Sequence, residues 1–197
     1  MMHEIEPYYQ WRDFYTAEED ERSPFYGRVY SEFHFSNKIY NYFIHPQWDE
    51  FGSSTLYLKI LFADYQDGFA IIEMIGEWND ALHNDIMFFK REIIDHLLNS
   101  GIGKFILIVE NVLNFHGSED DYYLEINDDL LDEDGWVVCL GAAPHLIDEM
   151  NKLHLYHYIF YGPRWNNINW RAYEPVNLFE QIKDYVEKPK LLPTEEE

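Results

Sequence analysis

The chain has 197 residues, 47% hydrophobic and 18% aromatic, which excludes a wholly disordered protein and fits one domain with an extension. Fourteen Lys and Arg, scattered singly, stand against 37 Asp and Glu for a net charge of −23, so neither nucleic acid nor a membrane surface is an expected partner. One cysteine, Cys139, excludes an intramolecular disulfide and a multi-cysteine zinc site and suits a reducing compartment, so a cytoplasmic location is expected.

The start, Met1-Met2-His3-Glu4, has neither the basic nor the apolar stretch of a signal peptide, and no apolar run approaches the ~20 residues of a membrane span. Residues 1 to about 24 mix Pro7-Tyr8-Tyr9-Gln10-Trp11 with the acidic Glu18-Glu19-Asp20-Glu21 and read as an ordered arm or short helix lying on the main domain. From about Arg28 the pattern turns strand-like. Tyr30, Phe33 and Phe35, then Ile39 to Ile44, flank Ser36-Asn37 as the expected hairpin turn, and His45-Pro46 should end the second strand. A second pair, Leu56 to Ala63 and Phe69 to Ile75, is joined through Asp67-Gly68, a strong hairpin signal. Both runs are apolar almost without interruption, which implies burial on both faces.

Helices and strands then alternate. Ile86, Phe89, Ile93, Ile94 and Leu97 repeat at helical spacing over 84–98, and Gly101 is placed to stop that helix. Lys104 to Val109 is a buried strand. Ser118 reads as the N-cap of the next helix, with Glu119, Asp120 and Asp121 favoured in its first turn and Tyr122, Tyr123, Ile126 and Leu130 inward. Trp136 to Leu140 is a strand, and Pro144 opens a helix carrying Leu146, Ile147 and Met150. Tyr156 to Tyr161 reads as the last strand, and Asn177 to Glu180 as a capping box opening a final helix to about Val186. The expected fold is α/β, a mixed β-sheet with helices packed on it. Its expected divisions are an aromatic-rich arm and β-hairpin extension over 1–55, the α/β domain over 56–188 and a disordered polar tail over 189–197.

Phe69 to Asn79 (FAIIEMIGEWN), the strand Lys104 to Asn114, the turn Phe115-His116-Gly117, the strand Trp136 to Leu140 and the closing helix occur in an order that resembles the STAS superfamily, in particular its SpoIIAA-like domains. Members of that family are mostly non-catalytic and bind protein partners or small ligands. Some are switched by phosphorylation of a serine at the start of the helix after the central strand. The resemblance places Ser118 at that position. Here the family's Asp-Ser-(Ser/Thr)-Gly is replaced by Gly117-Ser118-Glu119-Asp120, so a phosphate would lie beside carboxylates.

Ser118, His116 and Gly117 are therefore the candidate regulatory or ligand site. His116 stands past the end of a central strand, where open α/β sheets bind ligands. Glu77, Asp80 and His83 form a weaker candidate acid–base set, against the plainer reading of a capped helix start. His154 and His157 have ligand-like spacing but straddle a helix-to-strand junction, so no metal site and no cofactor are expected. Cys139 reads as an inert buried thiol. No GxGxxG, P-loop or GxSxG pattern is present. The leading expectation is a non-enzymatic binding or regulatory module acting through contact with an unknown protein partner. The alternatives are a small hydrolase or metal-dependent enzyme using Glu77, Asp80, His83 or His116, and a homo-oligomer joined through the aromatic hairpins, since 14 Phe, 16 Tyr and 6 Trp exceed the needs of a core this size.

Overall fold

The strands of the main sheet are mostly apolar, and both faces of the sheet are covered. The computed structural model describes residues 5–31 and 33–187; the expected tail over 189–197 and the first four residues lie outside them. Strands β3 (Leu56–Asp64), β4 (Phe69–Asn79), β5 (Lys104–His116) and β6 (Trp136–Leu140) form a sheet in the order β3-β4-β5-β6. The pair β3–β4 is antiparallel, a hairpin through Asp67-Gly68, while β4–β5 and β5–β6 are parallel. The expected mixed α/β sheet is the observed one.

Side chains alternate across it. Ile72, Met74, Phe105 and Leu107 point to a first face. There they meet Ile86 of α2 (Asp85–Phe88), Leu97 of α3 (Asp95–Leu98), Tyr123 and Ile126 of α4 (Asp121–Leu131), and Leu146 of α5 (Pro144–Lys152). A π-helical stretch, Phe89–Ile94, joins α2 to α3. From it Lys90 reaches Asp95, Glu125 and Asp129 at 2.8, 3.1 and 2.9 Å, tying that helix to α4.

Phe69, Ile71, Ile106 and Val138 point to the second face. It is closed by Trp11 of the N-terminal arm, Trp165 of α6 (Pro163–Asn166), Trp170, and Leu178, Phe179 and Ile182 of α7 (Pro175–Glu187). Phe179 lies flat on Phe69, ring centroids 3.9 Å apart and planes within 2°. Trp11 packs edge-on to Tyr8 and Trp170 at 5.2 and 5.6 Å, and its indole N–H donates to the Tyr173 carbonyl at 3.2 Å. Farther along the same face Ile39, Ile44 and Trp48 bury Tyr57 and Ile75.

The arm is also latched by charge. Asp49 is fully buried and accepts from Arg28 Nη1 at 3.0 Å and Tyr30 OH at 2.7 Å, with Lys59 Nζ at 3.3 Å. Burial pushes the Asp49 carboxyl up and the Lys59 ammonium down, and their mutual attraction opposes both displacements.

Four local expectations are corrected. The N-terminal hairpin is only β1 (Lys38–Ile39) and β2 (Tyr42–Phe43), turning at Tyr40-Asn41 with Tyr40 at φ 52°, not at Ser36-Asn37. Asn37 instead stands at the open end of that ladder, its carbonyl accepting from the Ile44 N–H at 2.8 Å. Residues 28–31 are not strand, because Arg28 and Tyr30 are drawn onto Asp49. The last strand shrinks to one parallel bridge, Val138 to Phe160, since 155–157 coil into a 3-10 turn before it and Gly162-Pro163 starts α6 just after. Finally, α7 opens at Pro175, so Asn177 lies inside it and forms no capping box.

Replacing Trp11 with Ala should lower stability by about 3–5 kcal/mol, the range for removing a large buried aromatic. Urea unfolding checks this, and an unchanged midpoint would show the arm to be a dispensable appendage.

Candidate functional site

Parallel strands β4 and β5 end together, Asn79 in register with His116, so their C-terminal ends open onto one edge of the sheet. Gly76 makes this edge possible. Its φ is 119°, and a Cβ there would lie 2.1 Å from the Thr55 carbonyl oxygen, so only glycine lets the Glu77 N–H bond that oxygen at 2.8 Å. Next, the Asn79 side chain accepts from the Leu82 N–H at 2.9 Å and caps the short helix α1 (Asp80–His83).

Asp80 locks the joint. Its Oδ1 accepts from Trp78 Nε1 at 2.9 Å and the Ile86 N–H at 2.8 Å, and its Oδ2 from Tyr123 OH at 2.6 Å. One carboxylate thus holds the end of β4, the start of α2 and the first turn of α4. Burial raises its pKa from 3.8 to about 6, against the lowering effect of those three donors. Burial also holds the Tyr123 phenol well above its ordinary value, so it remains a donor.

The candidate acid–base set is divided by this geometry. Glu77 accepts from Tyr40 OH at 2.7 Å and Asn114 Nδ2 at 2.9 Å, Asp80 turns inward to Tyr123, and His83, half-buried, ends α1. Asp80 instead shares a cleft with Ser118. The cavity, about 320 Å3 in volume, is lined by Asp80, Leu82, Asn84, Ser118, Glu119 and Tyr122 among others. Leu82 stands at it 80% exposed, although it is a large apolar side chain.

Ser118 does not cap the helix. α4 begins at Asp121, and Asp120 occupies the cap position with its carboxylate turned to Tyr158 OH at 2.8 Å. Ser118 is exposed in the loop two residues before it. Gly117 is held where a Cβ would fall 1.9 Å from Leu153 Cδ1, so this loop lies closely on the chain that follows α5. His116 is exposed at the end of β5. Cys139 is buried, which pushes its thiol up to about 12. Among the described residues no three His, Cys, Asp or Glu side chains are gathered as a ligand set.

Two features escaped sequence reasoning. Tyr123 was legible as an inward residue but not as the donor to Asp80, because 43 residues separate them. An apolar groove of about 140 Å3, lined by Ile39, Tyr40, Tyr42, Ile44 and Leu113 among others, forms only when the small hairpin meets the ends of β4 and β5.

No protein-family model matches the chain, and no curated protein matches it. Among solved structures, it is similar to the anti-sigma factor antagonist SpoIIAA in its unphosphorylated form, with 13% identity over 66% of this chain and 96% of that one and a TM-score of 0.46. The phosphorylated form of the Bacillus cell fate determinant SpoIIAA shares 10% identity over 64% of this chain and 98% of that one, at 0.42. A putative anti-sigma factor antagonist from Thermotoga maritima shares 12% over 57% and 87%, at 0.39. These likenesses are at low identity and extend over part of the chain. No helix among the described residues is long and apolar enough to cross a membrane.

Tyr123→Phe keeps the shape but removes a donor from a buried carboxylate, which should cost about 1–3 kcal/mol in urea unfolding; an unchanged midpoint would contradict the latch. A second consequence concerns pH. Because the folded-state pKa of Asp80 lies above its unfolded value, the folded chain holds the proton longer, and this group's contribution to stability falls as pH rises from about 4 to about 6. Asp80→Asn should remove that part of the slope, read as melting temperature against pH, and an unaltered slope would refute it.

Proposed function

We propose that the chain is a non-enzymatic regulatory module that binds a protein partner at the C-terminal ends of β4 and β5. The carrying observation is the cleft there, which leaves Leu82 and Ser118 outward while the carboxylate beside them, Asp80, is engaged inward by three donors. An apolar side chain at the mouth of an open polar cleft suits macromolecular contact, where a central apolar anchor is ringed by polar groups. Glu119 and Asp121 make the rim acidic, so the fitting partner surface is basic.

In this reading His116, Gly117 and Ser118 form the contact loop. A phosphate or a carboxylate on Ser118 would add negative charge beside Glu119 and Asp121 and strengthen the attraction to a basic partner surface by altering the rim, not by unfolding the helix.

The test compares Ser118→Ala, Ser118→Asp and Leu82→Asp. Both sites are exposed, so melting temperatures should match the wild type, with stability changes within about 0.5 kcal/mol. The partner captured by the wild-type chain should be retained by Ser118→Ala, held more tightly by Ser118→Asp and lost with Leu82→Asp. Equal capture by all three would remove this edge as the contact surface.

A further inference from the structure

A second cavity, of about 300 Å3, lies between the N-terminal arm and the end of β3, built from residues other than those of the cleft above. Its walls include Phe14, Tyr15, Glu19, Asp20, Arg22 and Tyr65. Asp20 organises it. Oδ2 accepts from Tyr15 OH at 2.9 Å and from Tyr65 OH, while Oδ1 accepts from the Arg22 backbone N–H at 3.0 Å. The Arg22 backbone carbonyl is held in turn by His96 Nε2 on α3 at 3.0 Å, so the main chain here is fixed on both sides.

The Arg22 side chain is less constrained. Its guanidinium carbon lies 3.4 Å from the Tyr65 ring centroid, and its Nε is 3.9 Å from Asp20 Oδ1, with the side chain 59% exposed. The cavity therefore already receives a planar cation on an aromatic face beside a carboxylate, supplied by the chain itself. Two other wall groups have the same chemistry without such a partner. Phe14 is 56% exposed and makes no ring or cation contact, and the Glu19 carboxylate makes no ion pair, among the described residues. An aromatic face attracts a guanidinium, which is weakly hydrated and stacks readily.

The geometry points to a docking site for an arginine side chain of a basic peptide, which exchanges with Arg22 on the Tyr65 face and takes Phe14 and Glu19 as its further contacts. Arg22 is then an internal occupant that lowers the apparent affinity by holding the site in its own filled state. The net charge of −23 favours approach of a basic peptide from any direction. This site stands or falls independently of the β4/β5 contact surface, since no residue is common to the two.

The experiment is a titration of the full chain with acetyl-Gly-Arg-Gly-amide, followed by amide NMR shifts, with the lysine and norleucine tripeptides as controls. Saturable shifts are expected around Phe14, Asp20 and Tyr65 for the arginine peptide, weaker ones for lysine and none for norleucine. Arg22→Ala should tighten the arginine peptide about two- to fivefold by removing the competing cation–π contact. Phe14→Ala combined with Glu19→Gln, both at exposed positions, should weaken it by at least as much. If Arg22→Ala does not fold, Arg22→Lys, which keeps charge but not the planar stack, carries the same comparison with a smaller gain. Shifts that never saturate, shifts centred on Ser118, or affinities unmoved by these substitutions would overturn the proposal.

Discussion

The covering of the sheet's second face is the constraint on which the rest of the structure depends. β4, β5 and β6 are parallel neighbours in sequence order, and right-handed crossovers proceeding in one direction place their helices on the same side. Helices α2 to α4 therefore all fall on the first face, and α5 packs beside them. Nothing in the crossovers can cover Phe69, Ile71, Ile106 and Val138 on the other. The chain closes that face from its two ends, with Trp11 arriving before the sheet begins and Trp170 and Phe179 after it is complete. The passage of the chain past the outer edge of β6 at Phe160 is what carries it from one face to the other, and the single bridge there is all the pairing that this crossing leaves.

Closure from the ends carries polar groups into the interior. Glu73 lies on the second face between Phe69–Ile71 and Ile75, where apolar neighbours bury it, and its pKa rises from 4.5 to about 7. It is satisfied by the Tyr8 N–H at 2.7 Å and Asn111 Nδ2 at 3.4 Å, so a backbone group of the arm is bonded to the centre of the sheet. Asp49 performs the same service at the edge strand β3, where its backbone pairs with Leu58 and its carboxylate gathers Arg28, Tyr30 and Lys59. In a chain with few cations, Lys59 and Lys90 are both spent inside on acids. The outer surface is left acidic as a consequence.

The β4/β5 edge illustrates how a site can be shaped by groups that do not enter it. Gly76 bends β4 toward Thr55, Asn79 starts α1, and Asp80 pulls α2 and α4 together. Each is used up by this positioning. What remains outward is Leu82, Ser118 and the carboxylates of Glu119 and Asp121.

The sequence by itself determined the elements whose signals are local. The Asp67-Gly68 hairpin, the nearly continuous apolar strands, the helical repeat over 84–98 and the strand at 136–140 each follow from periodicity and turn chemistry within one short window, and the mixed sheet follows from their alternation. Tertiary structure decided whatever depends on a distant partner. Ser118 looked like a cap because acids follow it, yet Tyr158 draws Asp120 and the helix starts at Asp121. The segment from Arg28 looked like a strand because aromatic residues follow, yet over 28–31 Asp49 claims Arg28 and Tyr30 in place of a ladder. Asp80 looked like one member of an acid–base set with Glu77 and His83, until Tyr123 took its carboxylate from 43 residues away. The physical reason is common to all three: a charged or hydrogen-bonding group once buried is bound to whichever partner the packing supplies, and sequence spacing carries no record of that partner.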